Sequence, residues 1–259
     1  VDLGIAGRHA IVCASSRGLG LACADSLARE GVRLTMNGRD AVVLGDAVAR
    51  LADRHGVAVQ GVPGDIADPA TQAALIDACP EPDILVTNNG GPTPGRFEDW
   101  DRDAWIAALD ANMLAPLAMI RAVIGGMVER RFGRIVNITS AMVKTPMAPM
   151  GLSTGARTGL TSVAKALSRE VARANVTINN LLPERVDTGR QQQMARLQAS
   201  SSGITVEEAY QRIAATIAAK RLGRPEEVGD ACAFLCSAQA GYISGQNLQL
   251  DGGTYGGLI

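Results

Sequence analysis

The stretch His9-Ala10-Ile11-Val12-Cys13-Ala14-Ser15-Ser16-Arg17-Gly18-Leu19-Gly20 runs from an apolar strand through a glycine-bearing turn into a helix. Residues 9–14 form a short, continuously apolar run, the pattern of a strand buried on both faces. Residues 19–30 then show helical periodicity and stop at Gly31, a good helix terminator. Between them, Gly18 and Gly20 let the backbone approach a ligand closely, and the helix that follows aims its first N–H groups at that point. Strand, glycine turn and helix start in this order suit a phosphate-bearing anion, and the placement carries more weight than the glycines alone.

The alternation continues outward from that unit. Further strands are predicted at residues 32–36, 57–62, 83–86, 134–139, 176–182 and 247–250, with helical stretches at 41–55, from Pro69, at 101–130 and at 151–174. Strand–helix–strand units joined by right-handed crossovers make a parallel sheet covered on both sides. The expectation is therefore an α/β fold of the Rossmann type. It has a doubly wound, seven-stranded parallel sheet, with 1–259 as one dinucleotide-binding domain. Residues 184–204 look irregular, rich in Gln, Arg and Ser, and the region 184–220 is expected to be a substrate lid.

Composition narrows the partners. The net charge is -1 with both signs scattered, and aromatics are 3% of the chain. No basic stripe or stacking platform points to nucleic acid. Arg121 interrupts the apolar run 113–128, which reads as a buried helix and not a membrane span. Cys13, Cys23, Cys79, Cys232 and Cys236 are an odd set with no histidine at a metal-site spacing, so they read as reduced, buried thiols and no metal is expected. With no secretory pattern at the start, the expected location is cytoplasmic.

Cys13-Ala14-Ser15-Ser16-Arg17-Gly18-Leu19-Gly20 resembles the Thr-Gly-x-x-x-Gly-x-Gly loop of the short-chain dehydrogenases/reductases, with Cys13 and Ala14 replacing Thr and the first Gly. Other landmarks of that superfamily follow in order over essentially the whole chain. Asp65-Ile66 resembles the pair that frames the adenine, and Thr87-Asn88-Asn89-Gly90 the motif after the fourth strand. Asn112 falls in the long crossover helix where the family keeps an Asn. Ser140 matches its catalytic Ser, and the segment through Pro183 to Thr188 the cover of the nicotinamide. The nearest general likeness is to 3-oxoacyl-[acyl-carrier-protein] reductases, in a divergent subgroup with imperfect motifs. The resemblance implies a dinucleotide site built from Ala14, Ser16, Arg17, Gly18, Leu19, Gly20, Arg39, Asp65, Ile66, Asn88, Asn89, Gly90, Arg157, Pro183 and Thr188. It also implies a homo-oligomer, a dimer or tetramer, through the long crossover helices. Arg17 and Arg39 suit a 2′-phosphate, while Asp40 sits one place late for a ribose acid and suits a helix cap. NADP(H) is expected over NAD(H).

The catalytic pattern departs from the family. Counting thirteen residues from Ser140 reaches Ser153 where the family has Tyr, and four more reach Arg157 where it has Lys. An aliphatic hydroxyl is a poor acid, and a guanidinium does not give up its proton near neutrality. Losing general acid–base help typically costs about 10²- to 10⁴-fold. Lys144, four residues past Ser140, is the candidate replacement proton donor, beside the alternative of a solvated loop lysine. Glu184 stands where the family has Gly, either as an acid/base or paired with Arg185 or Arg157. Tyr242 is expected in the core, and Tyr255 in a tail able to reach a site in an oligomer.

Three readings stay open at this point. One is an NADP(H)-dependent oxidoreductase on a small carbonyl or secondary alcohol, using Ser140, Asn112 and Lys144 with Ser153 and Arg157 shaping the pocket. The second is a non-catalytic dinucleotide sensor or inactive subunit. The third is a lyase or epimerase on the same fold. The pocket is expected to draw on residues 92–97, 144–150 and 184–204.

Overall fold

The computed structural model describes residues 1–258. Seven strands form one sheet: β1 (His9–Val12), β2 (Arg33–Gly38), β3 (Val59–Pro63), β4 (Ile84–Thr87), β5 (Gly133–Ile138), β6 (Val176–Pro183) and β7 (Asn247–Leu250). Their order is β3-β2-β1-β4-β5-β6-β7 and every pairing is parallel. The chain reverses direction along the sheet between β3 and β4, and that switch opens a crevice at the carboxyl ends of β1 and β4.

Alternation along β1 explains the two cores. Ala10 and Val12 face one side, with Cys23 and Leu27 of α1 (Gly18–Arg29), Leu44 and Leu51 of α2 (Ala41–His55) and Val228 and Leu235 of α9 (Pro225–Cys236). Ile11 faces the other side, with Leu75 of α3 (Pro69–Ala78), Met119 and Val123 of α5 (Ala115–Glu129) and Leu160 of α6 (Gly151–Val171). Each such Leu or Val, once buried, contributes roughly 1.5–3 kcal/mol. Helices α1 and α9 pack closely because residue 229 is Gly: a Cβ there would meet the Ala22 carbonyl oxygen at 2.4 Å. All five cysteines are free and buried, and among the described residues no His/Cys/Asp/Glu group is arranged for a metal.

α4 (Arg102–Leu109) runs through a π-helical turn, Asp110–Leu114, into α5. This 28-residue rod is apolar enough to cross a membrane by composition, yet it is a partly buried core helix packed on the sheet through Met119, Ile120, Val123 and Met127. Two expectations are corrected. Residues 184–204 are irregular only at their ends: α7 (Gly189–Ser202) occupies most of them and stops at Gly203. Its buried face is only Gln191, Ala195 and Ala199, spaced four apart. It pairs with α8 (Val206–Thr216) over a small core of Ala195, Ala199, Ala209 and Ile213. Tyr242 is fully exposed and not in the core, because its short 3-10 turn buries Ala240 instead.

Candidate functional site

A cleft of about 810 Å³ lies over the carboxyl ends of the strands. Its floor is the turn after β1. Ala14 adopts φ +45, the left-handed region where a Cβ costs about 1–2 kcal/mol. The conformation is held from both sides, by the Ala14 N–H donating to Asn37 Oδ1 at 3.1 Å and by Asn88 Nδ2 donating to the Ala14 carbonyl at 3.1 Å. Gly20 lies directly beneath, where a Cβ would come within 2.4 Å of that carbonyl and 2.9 Å of Asn88. Gly20 therefore shapes the turn from below and does not itself line the cleft.

The expected cofactor residues converge here. Ala14, Ser16, Arg17, Gly18, Leu19, Arg39, Asp65, Ile66, Asn88, Asn89, Gly90, Arg157, Pro183 and Thr188 all line the cleft. Helix α1 begins at its edge without a side-chain cap or an acidic first turn, so its opening N–H groups suit an anion. Asp40 is engaged as the cap of α2, accepting from the Val42 and Val43 N–H groups. Arg17 and Arg39 are exposed at the cleft, and neither makes an ion pair among the described residues. A capless helix start beside two free guanidiniums fits a phosphorylated dinucleotide.

Ser140, Ser153 and Arg157 share the inner wall. The Arg157 side chain donates from Nη1 to Ser153 Oγ at 2.6 Å and from Nη2 to the Asn89 carbonyl at 3.2 Å. It is 8% exposed and has no carboxylate partner among the described residues. Burial, with the nearby charge of Arg190, pushes its pKa down to about 10. Ser140 Oγ accepts from the Met142 N–H at 3.2 Å. Both hydroxyl oxygens thus receive an N–H, and each is left with its own proton to donate.

Other candidates fall outside this group. Asn112 is buried in the π-helical turn and faces a separate cavity of about 10 Å³ shared with Asn89 and Arg157. That is about the space one water needs. Lys144 does not line the cleft; its ammonium lies 5.2 Å from the Tyr255 ring centroid. Glu184 does not line the cleft either. It pairs with Arg185 at 3.7 Å, and burial holds its carboxyl above the usual range against the pull of that arginine. Tyr210 donates to Asp187 at the base of α7. Of the expected pocket segments, Met150 and residues 185–193 contribute, whereas 92–97 and Met147 do not.

The sequence reading missed Asn37, Gly38, Gly91 and Thr139 on the cleft wall, and a polar ladder beneath it. Thr87 Oγ1 donates to Asn137, Asn137 Nδ2 to Asn180 and Asn180 Nδ2 to Asn247, at 2.7, 2.9 and 2.8 Å. Each pair is in register across β4, β5, β6 and β7.

Residues 13–255 match the family model described as Enoyl-(Acyl carrier protein) reductase. The chain belongs to the short-chain dehydrogenase/reductase family. Within this family it is similar to the NADPH-dependent reductase BacG of Bacillus subtilis, 30% identical over 252 residues, 95% of this chain and 97% of that protein. It is also similar to the 3-oxoacyl-[acyl-carrier-protein] reductase FabG of Escherichia coli, 28% identical over 258 residues, 96% of this chain and 98% of that protein. Among solved structures, L-sorbose reductase from Gluconobacter frateurii, complexed with NADPH and L-sorbose, superposes with a TM-score of 0.95 at 27% identity over 100% of both chains. The protein is thus a short-chain dehydrogenase/reductase-type oxidoreductase with a Rossmann-like fold.

Proposed function

We propose that this protein is an NADP(H)-dependent reductase of a small carbonyl compound, and the corresponding alcohol dehydrogenase, with a non-standard catalytic site. The observation that carries this reading is the pair of hydroxyls at the cleft wall, Ser140 and Ser153, each accepting an N–H and so poised to donate. A dihydronicotinamide supplies the hydride when bound. The chain's own residues hold and polarise the carbonyl oxygen. Two preorganised donors on a developing oxyanion act where charge appears, and each such donor is typically worth about 10²–10³ in rate. Arg157, fixed behind Ser153, strengthens that donor through its charge without moving a proton. The new alkoxide takes its proton from water in the open cleft.

The remaining features fit the same reading. Arg17, Arg39, Asp65, Ile66 and the residue 88–90 segment would hold the adenosine end and diphosphate, with Arg17 and Arg39 on a 2′-phosphate. BacG is an NADPH-dependent reductase by name, and the sorbose reductase was solved with NADPH. Residues 184–220 act as the lid within one domain. Exposed Ile106, Leu114 and Val128 on the 102–129 helix suit the expected homo-oligomer, which size-exclusion chromatography with light scattering tests.

The first experiment is a fluorescence titration with NADPH and NADH, followed by NADPH consumption with a carbonyl panel. Tight NADPH binding, at least tenfold weakened by Arg39→Ala with NADH little changed, and turnover of a carbonyl are expected. Tight binding without turnover across the panel would favour a sensor or inactive subunit. No binding of either nucleotide would overturn the reading.

A further inference from the structure

Two buried arginines in this chain differ in what surrounds them. Arg134, 1% exposed, makes four hydrogen bonds: it donates to the carbonyls of Ser237, Gly133 and Asn175 and to Asn175 Oδ1. Among the described residues Arg157 donates only to Ser153 and Asn89, out of the five N–H groups a guanidinium carries. It is held at the cleft wall with an unneutralised charge.

Arg190 adds a second cation. It stands in the first turn of α7, lines the same cleft, and donates to the Pro92 carbonyl at 2.9 Å. The two guanidiniums therefore bracket the short segment from Asn89 to Pro92. Between them Gly91 offers no side chain, and a Cβ there would already lie 3.3 Å from Arg157 Nη1. Arg185 also lines the cleft, tied to Glu184, whereas the acids on its lining, Asp40 and Asp65, are taken up by backbone N–H groups of their own segments. Two like charges that feel one another at one cleft, one of them buried, are stabilised by an anion.

We infer that Arg157 and Arg190 form a carboxylate subsite beside the carbonyl-holding serines, so that the substrate is a short 2- or 3-oxo acid or the matching hydroxy acid. This rests on the reductase reading above. The direct Arg157–Ser153 contact sets the carboxylate and carbonyl positions side by side, which matches a carbonyl carbon bonded to the carboxylate or one carbon removed from it. A guanidinium also offers the paired donors that a carboxylate takes in a bidentate way. The reaction balances as a carbonyl reduction: the carbonyl carbon gains a hydride from NADPH, the oxygen gains a proton from water, and the carboxylate is unchanged.

The test separates the inference from its foundation. NADPH affinity is first measured by fluorescence on the full chain, and its loss would sink the reductase reading. On the NADP⁺-loaded protein, binding of 2-oxobutanoate, 3-oxobutanoate and their methyl esters is then measured by calorimetry, without turnover. The acids are expected to bind at least tenfold tighter than their esters. Arg190→Gln, on an exposed side chain that folding does not need, is expected to weaken the acids at least tenfold and NADPH less than threefold. Arg157→Met should likewise weaken the acids at least tenfold, and Arg157→Lys should recover part of the acid binding. Esters binding as well as acids would overturn the inference. So would Arg190→Gln weakening NADPH while sparing the acids, since the anion would then be the cofactor's diphosphate.

Discussion

Arg157 and Ser153 are one helical turn apart on α6, and the guanidinium donates to the hydroxyl across 2.6 Å inside the cleft wall. A charge there is costly. Burial pulls its pKa to about 10, a depression worth about 3 kcal/mol against the folded state. The sign is that of a cation with a lowered folded pKa. The penalty is fully present below about 10 and lifts as pH rises from there toward the value in the unfolded chain. Arg157→Met removes it at neutral pH and gives up two hydrogen bonds of about 1 kcal/mol each. Thermal unfolding is expected to show a net gain of about 1 kcal/mol, or 2–4 °C, together with loss of carbonyl reduction. A fall in melting temperature would show that the guanidinium stabilises the fold.

Restoring the pattern of the family tests the chemistry of the wall. Gly91 stands beside Ser153 and Arg157 with no side chain of its own. The double variant Ser153→Tyr with Arg157→Lys supplies a phenol as proton donor. Reduction of neutral ketones is expected to rise by about 10²–10⁴-fold, with preference for oxo acids lost. An unchanged rate would mean that proton supply does not limit the native site.

The turn after β1 makes a third prediction. Ala14→Gly removes the methyl from a left-handed residue, which gains about 1 kcal/mol in the fold, and it frees the unfolded chain by a similar amount. Stability should stay within about 1 kcal/mol, while NADPH binds severalfold tighter as the methyl leaves the cleft floor. Gly20→Ala is expected to abolish NADPH binding by driving a Cβ into the Ala14 carbonyl. Retained binding in that variant would remove the turn from the site.

The polar ladder makes a fourth. Asn137→Leu leaves Thr87 and Asn180 without their partner in a buried sheet. Chemical denaturation should report a loss on the order of 2–4 kcal/mol. A neutral result would mean that Thr87 and Asn180 find new partners.

The fold was legible because its signals are local. The continuous apolar strands, the glycine stops at Gly31 and Gly56 and the turn around Gly18 each act within a few residues. Most of the cleft followed, because strand ends in a parallel sheet must converge at the switch point. The misses are long-range. Helix α7 buries only Gln191, Ala195 and Ala199, so its sequence carries no apolar stripe to read. Nothing near Lys144 reveals that Tyr255 lies against it. Asn137 and Asn180 look like polar interruptions until the register sets them opposite one another. Arg157 could be assigned a position by counting from Ser140, but not its lack of an acid, which depends on every neighbour at once.

The α7–α8 hairpin leaves and rejoins the body at one point, where Val186 bridges Gly223, and it carries a core of its own in Ala195, Ala199, Ala209 and Ile213. That layout makes it an exchangeable cassette. Its length and side chains can diverge, or be swapped by design, without moving a strand or repacking either face of the sheet. On the lid reading proposed above, selectivity would drift on this one part while the strand-end scaffold stays fixed.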